Sequence, residues 1–390
     1  MKKIIILFTS VIFLGLGAYF FVLKSAPKKI EVDKVEPKLE KLMTTDEKSF
    51  VSKTHRQSKD IEQRRDNLKF FIDSKMLLSG GGIATNYLES PETTEVATGH
   101  EMLSESSGLY LRNLELTDTK GRFDSFYKET KKIFYDKVQF SYRIDEQGNK
   151  FSVNASVDDL RIIRALLGAS ARFGAEDYSK EIDTLAKNFM KTSMDDNILI
   201  DFYDVEQQKK STNTSLFYID LKTLGYLYKK YNVSADYLQY HYSLIEKGYL
   251  SDTFPFYQTR FNHKTNDYEN TGTINVIESL LTILHLGEVG LQKQESLDFI
   301  KDQVAKGTLF NSYDLNGVPV DKNQSAAAYA LAALIGVVTN DQELYDSSIL
   351  ILNNFQITDP TSLFYGGFGN SRTKEVFSYN NLMALLAYDQ

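Results

Sequence analysis

The chain is 390 residues long and carries 45 Lys and Arg against 52 Asp and Glu, a formal net charge of −7; this balance leaves no basic footprint for a nucleic acid partner. It has no cysteine, which excludes disulfides, thiolate-bound zinc, thiol nucleophiles and a lipid carried on cysteine. Aromatic residues come as 24 Tyr and 25 Phe without Trp, so any stacking against sugar rings falls to Tyr and Phe.

After Met1-Lys2-Lys3 an uncharged run extends from Ile4 to Leu23. At about 1.5 Å per residue, such a run spans a hydrocarbon core of about 30 Å. No small-x-small cleavage motif follows, since Tyr19-Phe20-Phe21-Val22-Leu23 is bulky up to Lys24. Residues 1–24 therefore read as a signal anchor, a single membrane-spanning helix with the remaining chain outside the cell; cleavage would instead give a secreted protein. Lys2 and Lys3 favour a cytoplasmic N-terminus, although Lys24, Lys28 and Lys29 weaken the charge asymmetry. Residues 25–54, rich in Lys, Glu and Pro, read as a tether.

From residue 55 to 390 the pattern is helical. Apolar residues recur at three- and four-residue spacing, with Gly, Asn and Asp between the runs. Helices are predicted over 56–75, 105–115, 121–137, 157–173, 177–192, 215–231, 234–247, 273–286, 293–305, 324–338, 341–354 and 376–388. A hairpin is predicted where Phe140–Ile144 and Lys150–Val153 flank Gln147-Gly148-Asn149. No alternation of strands and helices suggests a parallel sheet. Some helices, such as Ala326–Gly336 and Ile274–Leu286, are apolar on every side; others, such as Tyr178–Met190, carry one apolar stripe. Buried helices alternating with half-exposed ones suit the inner and outer rings of an all-α toroid, with minor β-hairpins in its loops.

Two helix starts carry carboxylates. Glu105 opens one, within Ser104-Glu105-Ser106, and Asp158 and Asp159 open another, after Ser156. A buried carboxyl that keeps its proton near neutral pH can serve as a general acid. The competing structural reading is helix capping: a first-turn acid favoured by the helix dipole at Glu105, and a capping box between Ser156 and Asp159.

Taken together the two motifs resemble glycoside hydrolase family 8. That family has a helix start of the form Ala-Ser/Thr-Asp-Ala/Gly-Asp-x-x-Ile-Ala, matched here by Ala155-Ser156-Val157-Asp158-Asp159-Leu160-Arg161-Ile162-Ile163 and continued to Phe173. An upstream Ser-Glu-Gly-x-Gly-Tyr motif, followed by Phe-Asp, is matched by Ser104-Glu105-Ser106-Ser107-Gly108-Leu109 and Phe123-Asp124. Ser325–Leu334 and Ser378-Tyr379-Asn380-Asn381-Leu382 resemble the family's last inner helices. The likeness spans residues 75 to 388. It implies an (α/α)6 barrel and an inverting hydrolase, with Glu105 as proton donor and Asp159 at the cleavage subsite. Inversion places the two working carboxyls about 6.5–9.5 Å apart.

Two departures matter. Val157 replaces the first aspartate of the signature, and Asn275, in Ile274-Asn275-Val276-Ile277-Glu278, stands where the family has its usual base. Asparagine cannot take a proton from water. The preceding loop offers Asp267 and Glu269; Asp267 is the expected base, with Glu278 a further candidate. Asp158, Tyr257, Arg260, Glu269 and Asn275 are expected to line the sugar subsites, and Asp201 and Asp204 read as a packed turn. His55, His100, His241, His263 and His285 show no metal-ligand spacing, and no metal or cofactor is expected.

The expected activity is hydrolysis of a β-linked extracellular polysaccharide. By analogy with family members that accompany exopolysaccharide synthesis, the expected partners are the polymer, the membrane and that machinery. The alternatives are a non-catalytic polysaccharide-binding or assembly factor that lost its base, and a lyase on a related toroid.

Overall fold

The structure, a computed structural model, describes residues 32, 34–50, 58–89, 97–174 and 176–390. The expected signal anchor lies outside the described residues. Among the described residues, no helix is long and apolar enough to cross a membrane.

Each of the twelve predicted helices has a counterpart. They are α2 (Lys59–Phe71), α3 (Ser104–Thr117), α4 (Lys120–Phe134), α5 (Ser156–Phe173), α6 (Glu176–Thr192) and α7 (Leu221–Lys230), then α8 (Asp236–Lys247), α9 (Val276–Glu288), α10 (Gln294–Lys306), α11 (Ala326–Thr339), α12 (Gln342–Asn353) and α13 (Ser378–Tyr388). A short helix, α1 (Pro37–Leu42), precedes them. Helices α3, α5, α7, α9, α11 and α13 form the inner ring, in which α3 packs on α5 and α13, and α11 on α9 and α13. The outer helices α4, α6, α8, α12 and α2 pack on α3, α5, α7, α11 and α13 respectively, while α10 packs on α11 and α12. This is an (α/α)6 toroid.

Side-chain chemistry sorts the rings. Every residue from Ala326 to Gly336 in α11 is buried, as expected of a helix with neighbours on all sides. On α6 the buried positions are Tyr178, Ile182, Leu185, Ala186 and Phe189, one stripe at helical spacing. Gly336 lets the rings approach closely: a Cβ there would stand 2.7 Å from the backbone nitrogen of Tyr345 on α12.

Two predicted boundaries shift. The predicted helix over 215–231 begins only at Leu221, because Asp220 caps it by accepting from Thr223 N at 2.9 Å. Upstream, Asn213–Ser215 is a strand paired with Arg260–Asn262, followed by a 3-10 turn over Leu216–Tyr218. Likewise Thr273–Asn275 is a strand paired with Ser312–Asp314, and α9 starts after it. The hairpin around Gly148 forms, with Gly148 at φ +86° and Phe151 N bonded to Arg143 O at 3.1 Å.

Within residues 25–54, the described part from 34 to 50 packs on the toroid and does not hang as a tether. Leu39 and Phe50 are buried. A 3-10 turn, Glu47–Phe50, packs against α5, and Lys229 Nζ donates to Thr45 O at 3.0 Å. The strap covers the junction between α5 and the short α7, where Leu39 and Phe50 are buried and Ser170 and Tyr226 donate to Glu47.

Candidate active site

Inner helices α3, α5, α9, α11 and α13 are entered through loops and short antiparallel strands that together build one mouth. Met102–Leu103, leading into α3, pairs with Arg143–Ile144. Ser106 Oγ of α3 meets Ser378 Oγ of α13 at 2.8 Å. Helix N-termini favour negative charge, which suits a mouth that carries carboxyls.

Glu105 sits in the first turn of α3, partly buried. Burial, and then the negative charge of Asp158, push its carboxyl up to about 7, against the pull of Arg161. Asp158 is buried and tied on both sides, accepting from Ser104 Oγ at 3.0 Å and from Arg161 Nη1 at 2.6 Å. Burial raises its affinity for a proton too, with Arg161 and Ser104 opposing. Two aromatic residues join this pair. Burial and the charges of Asp158, Asp201 and Glu105 raise the Tyr218 phenol above its ordinary value, and burial and Glu105 do the same to Tyr379. The buried Tyr379 hydroxyl has no hydrogen-bond partner among the described residues.

Asp159 is oriented differently. Its carboxylate accepts from Asn154 Nδ2 at 2.7 Å and from Phe140 N at 3.2 Å. It borders a small void shared with Leu185 and Phe189 of α6. Burial pushes it up to about 7. The structure therefore brings Asp158, the preceding residue, to Glu105, while Asp159 buttresses the layer between α5 and α6. The capping box is absent as well: Ala155 is the N-cap of α5 and makes no side-chain cap bond.

A second carboxyl group gathers around the half-exposed Arg260. Its Nε lies 3.1 Å from Asp201 Oδ2, and its Nη1 lies 3.4 Å from Glu269 Oε2. Asp201 also accepts from Ser215 N at 2.6 Å and from Ser215 Oγ at 3.0 Å. Burial nevertheless pushes it up to about 6. Glu278 accepts from Thr259 Oγ1 at 2.8 Å, and burial raises it. Asp267 is exposed on the outer strand of the hairpin, where its carboxylate accepts from Tyr268 N at 2.8 Å. Asn275 caps α9, accepting from Ile277 N at 2.9 Å. Tyr257 is only 2% exposed and packs against Tyr249, so it is a core ring and lines no subsite.

Sequence spacing missed three groups: Arg161, Tyr218 and Tyr379. Arg161 had a signal, since a cation three residues after Asp158 on a helix lies on the same face. The spacing of the histidines also concealed one cluster. Asp220, His285 and Glu288 bring ligand atoms within 4.8 Å of one another. Arg164 already supplies the positive charge there, donating to Asp220 at 2.9 Å and to Glu288 at 2.7 Å.

No family profile matches the chain. A protein from Clostridium perfringens described as a novel alpha-amylase is 31% identical, with a TM-score of 0.77 over 84% of this chain and 97% of its own. The putative lipoprotein YdaJ of Bacillus subtilis (strain 168) is 26% identical over 327 residues, covering 82% of this chain and 85% of its own. A cold-adapted family 8 xylanase, solved with substrate, shares the fold at 13% identity and a TM-score of 0.58, over 85% of this chain and 90% of its own. The toroid has the all-α fold of the family 8 glycoside hydrolases. The chain belongs to the family of the Clostridium perfringens protein.

Proposed function

We propose that the chain hydrolyses a polysaccharide outside the cell, by inversion, with Glu105 as the general acid. The observation that carries this reading is the Glu105 carboxyl, held up to about 7 by burial and by Asp158 at the mouth of the inner ring. An acid with that affinity for a proton is still largely protonated near neutral pH, as protonation of a leaving sugar oxygen requires. Asp158, fixed by Ser104 and Arg161, takes the sugar-gripping role that the sequence motif suggested for Asp159. Tyr218 and Tyr379 supply ring faces, and the Tyr379 hydroxyl supplies a donor.

The base belongs to the carboxyls around Arg260. Asp201 is the first choice: its charge and that of Glu105 both raise the Tyr218 phenol. Asp267, the choice from sequence, is the second. The polymer is an exopolysaccharide, and its β linkage is the expectation drawn from family 8. A second reading, an α-linked glucan, is favoured by the Clostridium perfringens relative, whose description is an alpha-amylase. The Bacillus subtilis relative is described as a lipoprotein; a chain without cysteine carries no cysteine-linked lipid, and the apolar run Ile4–Leu23 takes over anchoring.

The test measures reducing-end release from soluble starch, mixed-linkage β-glucan, xylan and purified exopolysaccharides. Wild type is expected to cleave at least one, and Glu105→Gln to lower that rate by about 10²–10⁴-fold while its melting curve is retained. Full activity in Glu105→Gln would refute the assignment. Binding without cleavage in wild type would favour the assembly factor, and products absorbing in the ultraviolet would point to a lyase.

A further inference from the structure

A cavity of about 480 Å³ runs along the toroid axis, and all six inner helices line it. Arg161 lines it and donates to Asp158, so the cavity adjoins the Glu105–Asp158 pair, neither of which lines it. It continues to Asn340 and Gln390, past the C-terminal ends of α11 and α13. Phe50 of the strap walls it at the junction of α5 and α7. Its volume falls in the range of about 300–1,000 Å³ common for small-molecule pockets.

The lining is divided. Leu109, Leu284, Leu334, Val338, Met383 and Leu386 form an apolar surface, and Arg112, Arg164 and Lys222 face the same space. The carboxylates on the wall are committed: Asp220 and Glu288 are bound by Arg164, while nearby Glu115 accepts from Arg112 Nη1 at 2.5 Å. Two donors are not committed. Arg164 is 9% exposed, and its buried Nε has no partner. The Lys222 ammonium makes no ion pair within 4 Å among the described residues and lies 5.2 Å from the centroid of the Phe50 ring. Burial and the like charges of Arg164 and Arg112 lower its affinity for a proton, and Glu288 and Asp220 oppose them; a ligand anion beside Lys222 would give the ammonium the contact partner it lacks.

We propose that this axial cavity is a second ligand site, for an amphipathic organic anion. Its carboxylate meets Lys222 and Arg164, and its alkyl chain lies against Leu284, Leu334 and Met383. This inference does not depend on the catalytic assignment, because its readout is binding.

The test titrates the full chain with decanoate, below its micelle-forming concentration, in a calorimeter at pH 7. Decan-1-ol and inorganic phosphate serve as separate arms. The expected result is saturable one-to-one binding of decanoate, with Lys222→Met weaker by about tenfold or more and Glu105→Gln unchanged. Phe50→Trp, the sole tryptophan in the chain, is expected to change its emission with the same midpoint. The proposal fails if wild type shows no saturable binding of decanoate, or if Lys222→Met or decan-1-ol matches wild type with decanoate. It fails equally if phosphate binds and decanoate does not, or if Glu105→Gln abolishes binding, since the ligand would then sit at the candidate active site. Should Lys222→Met not fold, Lys222→Gln takes its place under the same criteria.

Discussion

Glu105 and Asp201 are both carboxyls whose charged forms are disfavoured by burial, yet they sit at different levels, about 7 and about 6. Arg260 and the two bonds from Ser215 hold Asp201 lower, while Asp158 drives Glu105 higher. An inverting pair needs the base ionised and the acid protonated. The rate kcat/KM should therefore rise as pH climbs through about 6, when Asp201 loses its proton, and fall above about 7, when Glu105 loses its own. Asp201→Asn should lower the rate by about 10²–10⁴-fold and remove the acidic limb. An unchanged profile in that variant, with the limb lost in Asp267→Asn, would move the base to the hairpin. At this scale the sequence was half legible. Ser104-Glu105-Ser106 marks the proposed acid because a motif and a helix start coincide. The choice between Asp158 and Asp159 was not legible, since adjacent residues on a helix point about 100° apart and only the partners Arg161 and Asn154 reveal which one faces the mouth. The Arg260 cluster joins residues 201, 215, 260 and 269, a proximity that spacing along the chain does not encode.

Among the elements, inner helices were the easiest to read, because a segment such as Ala326–Gly336 is apolar around its whole circumference and has no other stable place. Helix starts preceded by strands were harder. The segment before Asp220 continues the helical periodicity, but Asn213–Ser215 pairs with Arg260–Asn262 as a strand and Leu216–Tyr218 turns as a 3-10 helix. The strap was hidden by composition: Lys, Glu and Pro outnumber its apolar residues, yet Leu39 and Phe50 are buried against the toroid. The contact between α11 and α12 depends on Gly336, where an added Cβ would meet Tyr345 N at 2.7 Å and Asp341 O at 2.9 Å. Both neighbours are backbone and cannot swing aside. Gly336→Ala should cost about 1–3 kcal/mol, read as a lower midpoint in urea. A midpoint equal to wild type would mean that the two helices separate freely.

The whole ring closes through charge as well as through hydrocarbon. Arg164 on α5 reaches Asp220 before α7 and Glu288 at the end of α9, so one guanidinium ties three successive inner helices across the stretch where the short α7 leaves the ring thin. Burial alone would raise Glu288, but Arg164 and His285 hold it well below the ordinary carboxylate range. Removing the cation strands two carboxylates in a buried setting, which commonly costs about 3–5 kcal/mol. Arg164→Leu should therefore melt well below wild type. The same substitution leaves Asp220, His285 and Glu288 with ligand atoms within 4.8 Å of one another and without the guanidinium that bonds the two carboxylates. Zinc favours such His and carboxylate sets. Added Zn²⁺ should restore part of the lost melting temperature in Arg164→Leu, by about 2.7 kcal/mol at a hundredfold excess over Kd. It should leave wild type unmoved, because the guanidinium already occupies the place of the ion. Equal shifts in both proteins would indicate zinc binding elsewhere and would remove Arg164 from its role as the ring's internal cation.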